Sequence, residues 1–106
     1  MAHHALSLPG TERCTYYGGP GVRVAANGRT FLNQSREADS FHLAIDHDSK
    51  AMLMDTDPAS FWQTPHYDGW PGVLVRYASA DPERVAEWID RARGQAAARK
   101  PAAKRK

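Results

Sequence analysis

A chain of 106 residues has room for one domain with a single two-layer core and none for a second. Its 42% hydrophobic and 25% charged content is that of an ordinary folded protein, no apolar run approaches the ~20 residues of a membrane-spanning helix, and a lone cysteine, Cys14, excludes an internal disulfide. The net charge of +2 is unevenly placed: five of the 14 basic residues and none of the 12 acidic ones fall in 94–106, leaving nine bases against twelve acids before it.

Residues 1–9 lack the basic start and apolar run of a signal peptide, so the expected location is the reducing cytoplasm. Ala2 to Leu8 predicts a short helix stopped by Pro9-Gly10, too short to stand without docking. Gly18-Gly19-Pro20-Gly21 leads into a strand, where Val22, Val24 and Ala26 alternate with Arg23 and Ala25. Asn27-Gly28 is a strong two-residue hairpin signal, because both types accept positive φ. Arg29 to Asn33 returns as the second strand, with Phe31 as its core anchor.

A polar connection over 34–40 precedes a third strand, Ser40 to Asp46, with Phe41, Leu43 and Ile45 on one face and His42 and Ala44 on the other. Asp46 or Asp48 caps a helix running to Met54. Asp57-Pro58 starts a single turn. Trp62 to His66 is expected as the fourth strand, ending at Pro65 or lying at an edge. Val73 to Ala78 is the fifth and most apolar. Asp81-Pro82-Glu83 then opens the clearest helix, in which Val85, Trp88, Ile89, Ala92 and Ala96 share one face. Gly94 is expected to end its docked part, dividing the chain into a domain at 1–93 and a disordered basic tail at 94–106.

Leu6-Ser7-Leu8-Pro9-Gly10-Thr11-Glu12, then Thr15, Tyr17, Gly18, Pro20 and the Val22–Phe31 hairpin, resemble the opening of the MmcQ/YjbR family. Asp57-Pro58-Ala59-Ser60-Phe61, Thr64, His66-Tyr67, Gly69-Trp70-Pro71 and Val73-Leu74-Val75-Arg76 continue the resemblance, which covers about residues 5–93. It implies an α+β fold: a two-layer domain with an antiparallel five-stranded sheet in the order helix, three strands, helix, two strands, helix, similar to secretion chaperones. Family members usually have a full first helix, so the helix before Leu8 is expected to be truncated and the domain less stable than its relatives. The resemblance also implies DNA binding, through a double-wing likeness of the sheet.

The residues themselves point to contact surfaces more than to chemistry. In the loop from His66 to Pro71, Tyr67 and Trp70 offer stacking surfaces, and His66 and Arg76 add polar contacts. The same aromatics would equally serve to cover the sheet edge. Arg23 and Arg76, each on a strand, would hold a phosphate together if their strands adjoin; otherwise each pairs with a carboxylate or faces water. Arg29 joins them as a phosphate contact. The tail cations Arg99, Lys100, Lys104, Arg105 and Lys106 suit sequence-independent phosphate contact, and all five on duplex DNA would give a salt slope of about −4.5. The excess of acids over bases in 1–93 opposes DNA binding by the body unless its arginines gather on one face.

No histidine spacing assembles a metal set, and no nucleophile, carboxylate pair or phosphate-cradling glycine loop is evident. The sequence therefore predicts a non-catalytic protein without cofactor or metal, binding DNA through basic strand residues, the aromatic loop and the tail. The alternative is an adaptor that takes a protein or small ligand on the loop and sheet face, with no membrane involvement in either case.

Overall fold

The structure, a computed structural model, describes residues 2–16 and 18–101. Helix α1 (Ala2–Ser7) is followed by strands β1 (Thr11–Tyr16), β2 (Gly19–Val24), β3 (Thr30–Gln34) and β4 (Ser40–Leu43). Helix α2 (His47–Thr56), strand β5 (Phe61–Trp62), a 3-10 turn at Pro65–Tyr67, strand β6 (Val73–Arg76) and helix α3 (Pro82–Ala97) complete it. All six strands form one antiparallel sheet in the order β1-β2-β3-β4-β6-β5.

The mixed helix and antiparallel-sheet class is as expected, but the sheet has six strands where five were predicted, and four of them precede α2. The unpredicted strand is β1. It lies at the sheet edge and has no fully buried residue, so it lacks the apolar alternation that marks its neighbours. Its β-branched Thr11 and Thr15 and aromatic Tyr16 were the only local indication. The predicted strand from Trp62 to His66 is also corrected. Pairing stops at Trp62, and Pro65, which has no N–H to give a ladder, opens the 3-10 turn instead.

Helix ends follow their caps. Asp46 accepts from the Ser49 amide (3.1 Å) to start α2, and Asp81 accepts from the Arg84 amide (3.1 Å) to start α3, with Pro82 in the first turn. The expectation that Gly94 ends the docked helix is overturned: α3 continues to Ala97, and Ala96 is buried. A glycine weakens a helix by only about 1 kcal/mol, whereas the apolar face formed by Val85, Trp88, Ile89, Ala92 and Ala96 holds it down. Burial contributes about 1.5–3 kcal/mol for each of its larger side chains.

Cross-strand partners share a sheet face. Leu32, Leu43 and Val73 therefore stand on one side, where they join Leu53 of α2, Ala5 of α1 and the apolar stripe of α3 in the core. Asn33, His42 and Leu74 stand on the other. The aromatic loop between β5 and β6 folds back toward that side, stacking Tyr67 on His42. Among the described residues no helix is long and apolar enough to cross a membrane.

Candidate functional site: the open face of the sheet

The open face carries a groove of about 790 Å³. Its floor is Asn33 and His42 on β3 and β4; Tyr67, Trp70 and Pro71 form one wall; Arg29 and Arg36 stand near opposite ends of β3. Arg99, beyond the end of α3, reaches the same groove, as does His66. Among the described residues three arginines and two histidines line it, and no aspartate or glutamate does.

The wall is held from beneath by a residue the sequence did not single out. Lys50 of α2 is 95% buried, and its Nζ donates to the carbonyls of Tyr67 and Trp70, both at 2.9 Å. Those bonds fix the two aromatic positions relative to the sheet. Burial lowers the Lys50 pKa from its ordinary value, and the charge of Asp68 opposes the shift. Within the loop, consecutive backbone turns (Tyr67 to Thr64, Asp68 to Pro65, Trp70 to Tyr67) and a left-handed Gly69 leave little freedom. His66 stacks beside Trp70, with ring centroids 6.5 Å apart, and Trp70 remains 46% exposed at the rim.

His42 sits under Tyr67, with ring centroids 5.2 Å apart. Asn33 donates from Nδ2 to the Gln34 carbonyl (3.0 Å), which leaves its Oδ1 to accept from His42 Nδ1 at 3.1 Å. His42 therefore carries a proton on Nδ1. Its Nε2 is buried without a hydrogen-bond partner. Burial, reinforced by the nearby Lys50 charge, lowers its pKa from 6.5 to about 4.

The C-terminal segment joins the groove through the β2–β3 hairpin. Asn27 Nδ2 donates to the carbonyls of Ala96 (2.8 Å) and Arg99 (3.2 Å), and Arg29 Nε donates to the Lys100 carbonyl (2.7 Å). The part of the tail up to Lys100 is therefore tied to the domain. Lys104, Arg105 and Lys106 lie outside the described residues.

Of the residues expected to form a site, the groove brings together Arg29, His66, Tyr67, Trp70 and Arg99. Arg23 and Arg76 are not brought together, because β3 and β4 separate their strands. Arg23 pairs with Glu12 (2.6 Å) on its edge neighbour β1. Arg76 lies 3.9 Å from Asp39 and stacks over the Trp62 ring at 4.4 Å, outside the groove. Tyr67 is half-buried against His42, so Trp70 is the more available ring. Arg36, Asn33, His42 and Lys50 were not predicted as site residues. The alternation of β4 did place His42 opposite Phe41 and Leu43; nothing local marked Lys50. Among the described residues no three His, Cys, Asp or Glu side chains gather as a metal-ion set.

No solved structure matches the chain. Residues of this chain are 38% identical, over 47 positions, to uncharacterised proteins of Mycobacterium bovis and Mycobacterium tuberculosis; the match takes in 44% of this chain and 36% of the length of those relatives. The sequence pattern of the YjbR family matches residues 6–95, nearly the whole described domain, and the chain belongs to that family.

Proposed function

We propose that this chain is a non-catalytic nucleic-acid-binding protein and that the groove on the open sheet face is its binding surface. The observation that carries the reading is the groove's charge: Arg29, Arg36 and Arg99 around a cavity with no carboxylate in its lining, on a domain whose residues before 94 carry more acids than bases. A surface with scattered charge would put carboxylates there too. Guanidinium groups bind phosphate through paired, directional hydrogen bonds, and aromatic rings at the rim offer stacking to bases. None of the four ion pairs among the described residues uses these three arginines. Lys100, whose carbonyl is bonded to Arg29, adds a further cation next to Arg99 in sequence.

Binding assays across a salt series test the proposal. Replacing Arg29, Arg36 and Arg99 with alanine should weaken binding and flatten the slope of log K against log salt by about 2.7 on duplex DNA or about 2.1 on single strands. If the triple variant binds like the parent, and only truncation after Pro101 removes affinity, the groove is not the site. The cut belongs after Pro101 because Ala96 is core and Arg99 and Lys100 are bonded to the hairpin.

A further inference from the structure

We infer that the groove accepts a single strand of nucleic acid rather than a duplex, with bases stacking at Trp70 and phosphates meeting Arg29, Arg36 and Arg99. This rests on the nucleic-acid reading above and narrows it.

Shape comes first. A duplex is read by an element that protrudes into its groove, either a helix or a two-stranded ribbon. Here the unneutralised cations line a concavity instead. The longest helix sets Glu83, Glu87 and Asp90 against Arg84, Arg91 and Arg93, and a helix with no net positive charge is a poor insert between two phosphate backbones.

The second point is access to base faces. Trp70 is half exposed at the rim, with His66 stacked alongside it, and neither ring is needed to complete the core. Paired and stacked bases inside a duplex cannot reach such a platform, whereas an unpaired strand presents every base face. Lys50 holds the Trp70 carbonyl in place, so the platform is ordered before a ligand arrives and little conformational entropy is lost on binding.

Dimensions agree. Arg29 and Arg36 flank the five residues of β3, a strand of roughly 17 Å at about 3.4 Å per residue. At about 3.4 Å per nucleotide for a stacked strand, that length spans about five nucleotides. Along that path the neutral Asn33 and His42 form the floor, so the cations sit at the ends and the polar, uncharged groups lie between them.

The test uses the full chain with a thymidine oligonucleotide of about twelve residues, free and annealed to its complement, at matched salt. The single strand should bind at least about tenfold more tightly than the duplex and quench tryptophan fluorescence. The quench should disappear in Trp70→Phe, since Trp88 is buried and the Trp62 indole N–H is bonded to Ser40. Trp70→Ala should weaken single-strand binding about five- to 150-fold, the range for losing one base-stacking ring, with Trp70→Phe retaining most of the affinity and circular dichroism confirming that both variants fold. Duplex binding equal to or tighter than single-strand binding would overturn the single-strand inference while leaving nucleic-acid binding in place. Single-strand affinity indifferent to Trp70→Ala would overturn the platform and the inference with it. Binding of neither probe at low salt would remove the nucleic-acid reading altogether.

Discussion

The ring of His42 lies between Tyr67 and the backbone of Gly72, so tightly that a Cβ on Gly72 would come within 2.2 Å of Nε2 and 3.1 Å of the Leu43 carbonyl. Space, and not backbone conformation, makes glycine necessary at this position. Gly72→Ala should destabilise the domain by about 1–3 kcal/mol, the range for forcing atoms into a packed interior. A double-mutant cycle with His42→Ala should recover much of that loss, and additive effects would show that His42 is not the obstacle. His42 also makes stability depend on pH. It binds its proton less readily folded than unfolded, so between pH 6.5 and about 4 the unfolded state carries more protons and stability falls as pH falls. At most about 3 kcal/mol is lost across that window, all of it present above pH 6.5. Urea midpoints measured at pH 7 and pH 4.5 should differ markedly for the parent and much less for His42→Gln. Asp46, whose carboxylate is held below its ordinary pKa by the Ser49 side chain and then the Ser49 amide, affects a more acidic range. Residues of this kind were only half legible beforehand. Strand alternation assigned His42 a face, but neither Tyr67 nor Gly72, both more than twenty positions away, could be named as its neighbour.

At the scale of elements, α2 and the aromatic loop act as a pair. The helix caps itself through Asp46 and buries Leu53, while Met52, expected beside it in the core, is exposed; its contribution to the groove is the ammonium of Lys50 beneath the loop. Lys50→Met keeps the length of the side chain but removes one of the two donors at each carbonyl, leaving Tyr67 bonded only by the Trp70 amide and Trp70 only by the Gly72 amide. We expect a loss of about 2 kcal/mol, in keeping with hydrogen bonds from a charged donor, and a red-shifted, more mobile Trp70 emission. An unchanged urea midpoint would mean that water replaces Nζ at both carbonyls. The elements most easily read from the chain were those with a buried face of their own: β2, β4, β6 and α3. Edge strand β1 was missed and β5 misplaced because neither depends on a regular apolar pattern of its own. Both are held in place by the ladder of a neighbour, β2 for one and β6 for the other.

Over the described residues, the groove and the segment up to Lys100 are joined because the Asn27-Gly28 hairpin ties the end of α3 to the start of β3. Asn27→Ala removes the donor shared by the Ala96 and Arg99 carbonyls, and the amides of Ala98 and Arg99, bonded to Gly94 and Ala96, should then exchange with solvent faster. Hydrogen exchange unchanged at those two amides would show that the helix end holds itself. Charge behaves similarly at this scale. An acidic excess in residues 1–93 was readable by counting, yet the gathering of Arg29, Arg36 and Arg99 around a carboxylate-free groove depends on strand order and on where α3 ends. By itself the sequence determined the family, the α+β class, the presence of the β2–β3 hairpin and the Asp81 cap and apolar face of α3, all of which follow from local periodicity and the order of motifs. It left the α2 cap between Asp46 and Asp48, and the expected two-residue turn is instead a longer loop between Val24 and Thr30. Tertiary structure alone decided the sixth strand, the separation of Arg23 from Arg76, and the groove that unites β3, β4, the loop and Arg99. The physical reason is that a binding surface is made by contacts between residues distant in the chain, and each of those residues looks ordinary in its own segment.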